Sequence, residues 1–410
     1  ITVSAGLDSD GTWSTGANMV DINADGFLDI YVCRSGAPGG ANRYNHLYIN
    51  NGDLTFSEQA QAYGLDIVGL SVQTTFFDYD RDGDLDCYLL NNSIKSTGNF
   101  QVAANLRSLP DTLGGNMLLR NDQGYFHDVT LTAGIYSSEI GFGLGATVGD
   151  INLDGWPDLY VSNDFFEKDY LYVNQQDGTF EDQLERHITE TSMGSMGADM
   201  ADINNDGCAE YFVTEMLPER RDRQVTKAFF ETWDEQKNAQ SKGYYNQFGR
   251  NVLQLNNADG TFSEIGRYAG VEATDWSWAS LIFDMDNDGH KDIFVSNGIF
   301  KDLLDLDYLN FMSDASRVRA MIQSEGGSIQ DIIDMMPSEA IPNYFFQNNG
   351  DLTFTNRAQH WQMALPTFSN GSAYGHLDND GDLELVENNA NMIYDLYENK
   401  NNQALPQNNF

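Results

Sequence analysis

One short acidic pattern, D-x-[DN]-x-D-G-x-x-[DE], recurs along the whole chain of 410 residues. Its six copies start at Asp21, Asp78, Asp150, Asp202, Asp284 and His376, and only the last copy lacks an acidic first position. Length alone would suggest two or three ordinary domains, but self-similarity over the full length overrides that expectation. The chain is therefore expected to consist of six copies of one structural unit.

Each copy of the pattern is followed by residues typical of short β-strands. A β-rich run such as Ile30-Tyr31-Val32 comes first, and a hairpin sequence such as LYINNGDLTF from Leu47 comes next. An Ala-Gly-Leu element or a relative of it then closes the unit, which supplies about four strands. This pattern predicts an all-β fold, a β-propeller with six blades counted and seven possible. A β-sandwich is the alternative, although it would not need six copies of one loop.

The ends and the overlong segments complete the predicted domain. The run from Ile1 to Leu7 is typical of an outer strand, and no Thr-Phe strand follows Asn402, so the N-terminal strand is expected to pair with the last blade. One propeller would then span residues 1–410. Segments 93–115, 216–250 and 300–340 are too long for blade connections and are expected to be insertions, with helix-compatible runs in the last two.

Composition excludes several classes of protein. Lys plus Arg number 22 against 62 Asp plus Glu, and a net charge of −40 argues against nucleic acid or an anionic membrane as a partner. A hydrophobic content of 41% is too high for a disordered acidic polymer. Three cysteines give no even disulfide framework, and no apolar run is long enough to insert directly into a membrane.

The acidic loops have the composition of calcium sites. Carboxylates at alternating positions of a tight turn can converge on one hard cation, and the glycine permits the sharp reversal. The seventh position would contribute its backbone carbonyl. Asp, Asn and Gly are also common in ordinary turns, so one loop alone would be weak support, but six loops in register favour five or six Ca²⁺ ions.

The set of predicted ligands follows from this pattern, and the sixth loop, with His376 at its first position, has the smallest set. The predicted ligands are Asp21, Asn23, Asp25, Phe27 and Asp29 in the first loop; Asp78, Asp80, Asp82, Asp84 and Asp86 in the second; Asp150, Asn152, Asp154, Trp156 and Asp158 in the third; Asp202, Asn204, Asp206, Cys208 and Glu210 in the fourth; Asp284, Asp286, Asp288, His290 and Asp292 in the fifth; and Asp378, Asp380, Asp382 and Glu384 in the sixth.

These loops resemble the FG-GAP or VCBS repeats of integrin α-subunit propellers. Together with Phe-x-Asp-x-Thr-x-x-Ala-Gly-Ile from Phe126 to Ile135, they more closely resemble the cartilage acidic protein group, whose propeller precedes an ASPIC/UnbV domain. Residues 407–410 resemble the opening of that domain. The segment from Met216 to Asn257 resembles exported surface proteins of glycan-degrading bacteria. The resemblance implies calcium and an extracellular or bacterial cell-surface location, but no particular ligand.

The chain is expected to bind rather than to catalyse, because no histidine stands in a recognised catalytic motif and calcium accounts for the acidic clusters. The predicted function is a binding or scaffolding module for protein–protein interaction or adhesion. A carbohydrate-binding propeller is the alternative, and a polysaccharide lyase or hydrolase is a more distant one. The predicted partner-binding residues are cations and aromatics near the insertions, namely Arg220, Arg221, Arg223, Phe229, Phe230, Trp233, Trp276 and Trp278.

Overall fold

The computed structural model describes residues 2–7, 11–36, 43–93, 103–227, 232–323, 328–378 and 380–400. The chain divides into two compact units. The first unit comprises Ile1–Met200, Trp233–Gln247 and Asn256–Ser263 and holds blades one to three. The second comprises Ala201–Thr232, Phe248–Leu255 and Glu264–Phe410 and holds blades five and six with most of blade four.

Blades one to three are antiparallel meanders of four strands in sequence order. Blade one contains β1 (Trp13–Val20), β2 (Asp29–Ser35), β3 (His46–Asn50) and β4 (Phe56–Glu58). Blade two contains β5 (Ser71–Phe77), β6 (Asp86–Asn91), β7 (Met117–Asn121) and β8 (Phe126–Asp128). Blade three contains β9 (Gly143–Gly149), β10 (Asp158–Asn163), β11 (Tyr170–Asn174) and β12 (Phe180–Asp182).

Blades four and five also have four strands, and blade six has three among the described residues. Blade four contains β14 (Ala198–Ala201), β15 (Glu210–Val213), β17 (Val252–Asn256) and β18 (Phe262–Glu264). Blade five contains β19 (Ser277–Phe283), β20 (Asp292–Asn297), β22 (Tyr344–Asn348) and β23 (Phe354–Asn356). Blade six contains β25 (Ser369–Gly375), β26 (Glu384–Asn389) and β27 (Asp395–Tyr397). The predicted all-β propeller of six blades is confirmed.

Two short ribbons and nine helices accompany the blades in the described residues. The ribbons pair β13 (Thr191–Ser192) with β16 (Gln247–Phe248) and β21 (Ile341–Pro342) with β24 (Pro366–Thr367). The helices are α1 (Ala60–Tyr63), α2 (Ala103–Arg107), α3 (Leu184–His187), α4 (Arg221–Lys227), α5 (Trp233–Ser241), α6 (Gly266–Ala269), α7 (Leu306–Ser313), α8 (Ala315–Gln323) and α9 (Ile329–Asp334).

The longer helices lie in the segments expected to be insertions. Helix α2 lies within residues 93–115, α4 and α5 lie within 216–250, and α7 to α9 lie within 300–340. Helices α7 and α8 contain no fully buried residue, as is usual for decorations outside a core. None of the helices in the described part of the chain has the length and apolar character needed to cross a membrane.

The second strand of each blade forms the centre of its sheet, which explains its unbroken apolar sequence. All six residues of β6, β10 and β20 are buried. A strand covered on both faces cannot alternate polar and apolar residues, so runs such as Leu159-Tyr160-Val161 result. These strands hold the loop that precedes each of them in a fixed position.

In blades two, three and five, a phenylalanine on the fourth strand packs against the preceding blade of the same unit. Phe126 of β8 packs with the core of blade one, and Phe180 of β12 packs with the core of blade two, where its ring lies 5.7 Å from that of Tyr79. Phe354 of β23 packs in the same way with the core of blade four. The Thr-Phe element of the hairpin sequence therefore belongs to the packing between blades.

The first residues of the chain do not form the strand that the sequence predicts. Residues 2–6 form turns, and the carbonyl oxygen of Ala5 accepts a hydrogen bond from the N–H of Phe56, at 2.8 Å. The Phe180 N–H donates to Ala133 in the same way. Residues 2–7 thus correspond to the closing turn before a blade. Pairing of a terminal strand with the last blade stays a prediction, and residues 407–410 lie outside the described residues.

Truncation of Phe180 tests the packing between blades two and three. Phe180→Ala removes a side chain that is only 5% exposed, and we expect the free energy of unfolding to fall by about 3–5 kcal/mol. Leu131→Ala, at a side chain that is 65% exposed, is the control and should change it by no more than about 0.5 kcal/mol. Denaturant unfolding measures both, and equal stabilities of the two variants would contradict this packing.

Candidate functional site

The acidic loops connect the first and second strands of all six blades. In the first loop, Asp21 at position one accepts hydrogen bonds from the N–H groups of Asp25 and Gly26, at 3.0 and 2.9 Å. The same two bonds form in the four loops that start at Asp78, Asp150, Asp202 and Asp284. The sixth loop starts at His376, which has no carboxylate for this role.

Positions five and seven form a second recurring contact. The Asp25 carboxylate accepts a hydrogen bond from the N–H of Phe27, at 2.8 Å. The N–H donors at position seven of the other loops are Asp84, Trp156, Cys208, His290 and Asp382. Because their N–H groups are used locally, the side chains at position seven can vary while the backbone stays fixed. That the carbonyl of position seven acts as a ligand stays a prediction.

The carboxylate at position nine is buried and forms hydrogen bonds that connect the loop to the sheet. In the second loop, the Oδ2 atom of Asp86 accepts from the N–H of Tyr79 at 3.1 Å, and Oδ1 accepts from the N–H of Asn121 at 2.8 Å. Asp29, Asp158 and Asp292 form the equivalent pairs of bonds. Position nine therefore joins the start of its loop to the end of the third strand.

Burial makes ionisation of these carboxyls unfavourable in the absence of a cation. Burial raises the pKa of Asp86 and of Asp292 to about 8 in each case, and that of Asp158 to about 6, although backbone N–H donors partly offset the effect. Neighbouring loop carboxylates raise all three further. A bound cation would favour the ionised form at each position.

Three loops bring carboxylate oxygens within 4.8 Å of one another, which is close enough to share a metal ion. The groups are Asp78, Asp80 and Asp86; Asp284, Asp286 and Asp292; and Asp378, Asp380 and Glu384. The first two groups use positions one, three and nine, whereas the sixth loop uses positions three, five and nine. Asn23, Asn152 and Asn204 stand at position three in the other loops and offer an amide oxygen there.

The donor set fits a hard cation. In the second loop, the Oδ1 atom of Asp80 is buried and has no hydrogen-bond partner among the described residues, and Oε1 of Glu384 in the sixth loop is in the same situation. Burial, and then the charges of Asp82 and Asp78, raise the pKa of Asp80. A buried carboxylate oxygen without a donor is costly unless a cation contacts it. Oxygen ligands only, with no sulfur or ring nitrogen, suit Ca²⁺ better than Zn²⁺.

One recurring residue has a role that the sequence analysis missed. An asparagine at the end of the third strand, or just after it in blade six, contacts an acidic loop through its side chain. In blades one and two the acceptor is a carbonyl of the blade's own loop, Leu28 for Asn50 and Leu85 for Asn121. In blades three, five and six the acceptor lies in the loop of the preceding blade of the same unit. Asn174 donates to the carbonyl of Tyr79 at 2.8 Å, Asn348 to Ile203 at 2.8 Å and Asn399 to Met285 at 2.9 Å. The signal was present, because this Asn recurs in every hairpin sequence.

The predicted partner-binding residues occupy different environments. Arg223 is buried and makes ion pairs with Asp275 and Glu339, and Arg220 pairs with Asp222 and Glu339. Arg221 is exposed, and Trp233 is 68% exposed. Phe229 and Phe230 lie outside the described residues. The charge of Arg223 thus serves contacts within the second unit.

The two remaining tryptophans lie together in the second unit. The ring centroids of Trp276 and Trp278 are 6.4 Å apart. The Trp278 indole donates to the carbonyl of Gly298 at 2.8 Å, whereas the indole nitrogen of Trp276 is buried without a hydrogen-bond partner in the described residues. Both rings are partly exposed.

The raised pKa values predict how pH changes the stability of the metal-free protein. A carboxyl whose folded pKa is about 8 and whose ordinary value is 3.8 stabilises the fold below the lower value and loses this contribution as pH rises through 8. In a chelator, the melting temperature should therefore fall between pH 6 and pH 9. Asp292→Asn should reduce that slope, and the exposed Asp53→Asn should not. A melting temperature that rises over this range would contradict the assignment.

Comparison with known proteins identifies the repeat. Residues 21–89, 150–213 and 244–295 match the model of the FG-GAP-like repeat. No curated protein matches the chain. Among solved structures, a lectin from Agrocybe aegerita, described as specific for non-reducing terminal N-acetylglucosamine, aligns with 14% identity and a TM-score of 0.43, over 96% of this chain and 83% of the lectin.

A second solved structure aligns with a similar share of the chain. The biofilm matrix protein Bap1 of V. cholerae has 12% identity and a TM-score of 0.34, over 95% of this chain and 62% of Bap1. This chain therefore spans less than two thirds of that protein. The matched segments contain the acidic loops of blades one to five, so the chain carries FG-GAP-like repeats on the blades of a β-propeller.

Proposed function

We propose that this chain is a calcium-stabilised binding or scaffolding module that acts outside the cell or on the outer surface of a bacterium. The observation that carries the proposal is the recurrence of one oxygen-rich loop geometry at the same place in blades one to five, with a variant of it in blade six. We also propose that its relatives are the cartilage acidic protein group with its ASPIC/UnbV domain. The matched FG-GAP-like repeats support the calcium role, because propellers of this type often use acidic loops for it.

Different residues of each loop would contact the ion from different sides. Carboxylates at positions one, three and five, or amides at position three, would contact it from the exposed side, and the carboxylate at position nine would contact it from the buried side. Calcium would supply the positive charge that lets crowded carboxylates remain ionised. The deep position-nine group would thereby connect ion binding to the stability of the blade.

Calcium removal and a ligand substitution together test this role. We expect five or six Ca²⁺ per chain by metal analysis, and a melting temperature that falls on chelation, since a ligand present at 100 times its Kd contributes about 2.7 kcal/mol per site. Asp80→Asn should reduce the calcium-dependent rise in melting temperature. Asp177→Asn, at an exposed hairpin position, is the matched control and should keep it. No bound metal and no effect of chelator would contradict the proposal.

A binding role without catalysis is part of the same proposal. The exposed ring of Trp233 on α5, with Lys237 Nζ 4.9 Å from its centroid, offers the aromatic and cationic groups that protein interfaces favour. We therefore place a partner contact on α5 of the 216–250 insertion. Cleavage of a polysaccharide by the purified protein would overturn the non-enzymatic role.

Glycan binding is the second candidate, and the pair of tryptophans in the second unit favours it. Partly exposed indole rings can stack on sugar faces, and the rings of Trp276 and Trp278 lie 6.4 Å apart. If this function is correct, Trp276→Ala should abolish binding on a glycan array, while Trp276→Phe should retain part of it and Trp233→Ala all of it. Binding that survives Trp276→Ala in a normally folded variant would exclude this site.

A further inference from the structure

Neighbouring acidic loops of the first unit are joined by the side chain at position four. Arg81, at position four of the second loop, donates through Nη1 to the carbonyl oxygen of Gly155 in the third loop, at 3.0 Å. Its guanidinium carbon also lies 5.3 Å from the ring centroid of Trp156. Gly155 and Trp156 are positions six and seven, so the contact fixes the backbone beside the predicted carbonyl ligand.

The same position joins the loops of the second unit. Asn205, at position four of the fourth loop, donates to the carbonyl oxygen of Gly289 in the fifth loop, at 3.1 Å. Asn287, at position four of the fifth loop, donates to the Asp382 carboxylate in the sixth loop, at 2.5 Å. Three links in two separate units therefore run in the same direction, from one blade to the next.

The backbone conformation at position four sets the direction of these side chains. Arg81, Asn205 and Asn287 have φ values of 61°, 60° and 56°, in the left-handed region. Position four lies between positions three and five, so a cation held by those two would fix this strained residue. Ala24 and Leu153 adopt the same conformation at position four of the first and third loops. They have no side-chain donor, so the link is absent there although the loop geometry is kept.

We propose that cation binding is coupled between successive loops, from the second to the third, and from the fourth through the fifth to the sixth. This inference rests on the proposed calcium role. A cation in one loop orders position four, and its side chain then holds the neighbouring loop in the conformation that binds, so the second cation orders less chain. Repulsion between the ions is limited, because each of these loops carries at least three carboxylates.

The third loop offers a direct reporter of its own occupancy. Tb³⁺ replaces Ca²⁺ at oxygen sites and emits light when a nearby tryptophan is excited, and Trp156 lies within that loop. The part of the Tb³⁺ emission that is lost in the Trp156→Phe variant therefore measures the binding of Tb³⁺ at the third loop. Titration of Tb³⁺ into the whole chain yields the affinity of this loop, with the second loop intact or disabled by Asp80→Asn.

The coupling predicts a specific pattern among four proteins. Asp80→Asn should weaken Tb³⁺ binding at the third loop by at least about fivefold, the lower end of typical coupling between sites. In the Arg81→Ala background, the same substitution should have no further effect. Arg81→Asn, which supplies the donor found at Asn205 and Asn287, should restore the dependence. Asp21→Asn in the first loop is the matched control and should leave the third loop unchanged.

Two kinds of failure can be told apart. An equal effect of Asp80→Asn with Arg81 or Ala at position 81 would overturn the coupling, and so would no effect in either background. In both cases the Tb³⁺ emission that depends on Trp156, and its displacement by Ca²⁺, would still be present. Loss of that emission in the unmodified protein would instead contradict the proposed calcium role itself.

Discussion

The buried carboxylate at position nine is the contact on which each blade depends. It receives one N–H from position two of its own loop and one from the asparagine that ends the third strand, as Asp292 does from Met285 and Asn348. The loop, the second strand and the third strand thus share a single carboxyl group. Because that group has no exposed surface, its charge must be compensated from inside the loop or be lost by protonation.

The asparagine links blade three to blade two in the first unit, and blades six and five each to the preceding blade in the second. Asn348 donates its backbone N–H to Asp292 in its own blade and its side-chain N–H to Ile203 in the preceding one. This contact joins the start of one acidic loop to the third strand of the next blade. Apolar contacts, such as those of Phe354 with the core of blade four, supply the buried area between the blades. The polar contacts of the asparagine fix the register of one blade against the next.

Sequence reasoning found the loops because their ligands lie close together in the chain. Nine residues contain the acidic groups, the glycine and the strand that follows, so spacing alone determined where Asp78, Asp80 and Asp86 would meet. The second contact of the asparagine spans about a hundred residues, as between Asn174 and Tyr79, and no local pattern contains it. The Asn was visible as a repeat, but its acceptor was not.

The contacts of the charged residues in the 216–250 segment could not be predicted from the sequence, because their partners also lie far away in the chain. A cluster of arginines in a chain of net charge −40 predicts a surface that attracts a partner. Arg223 instead forms a bidentate contact with Asp275 and a further pair with Glu339, while Lys227 pairs with Asp305. These acids come from segments 50 to 120 residues away in the sequence, and burying one partner alone would be strongly unfavourable.

At position four of the acidic loops, the conformation of the backbone and the contacts of the side chain are independent of each other. The backbone there must be left-handed in every described case, but alanine, leucine, arginine and asparagine all accept that conformation in this protein. The conformation of the loop therefore does not depend on which side chain stands at position four. Where it is Arg81, Asn205 or Asn287, it serves the neighbouring loop, and where it is Ala24 or Leu153 it cannot. The identity of one residue in each turn thus decides whether two acidic loops are joined directly.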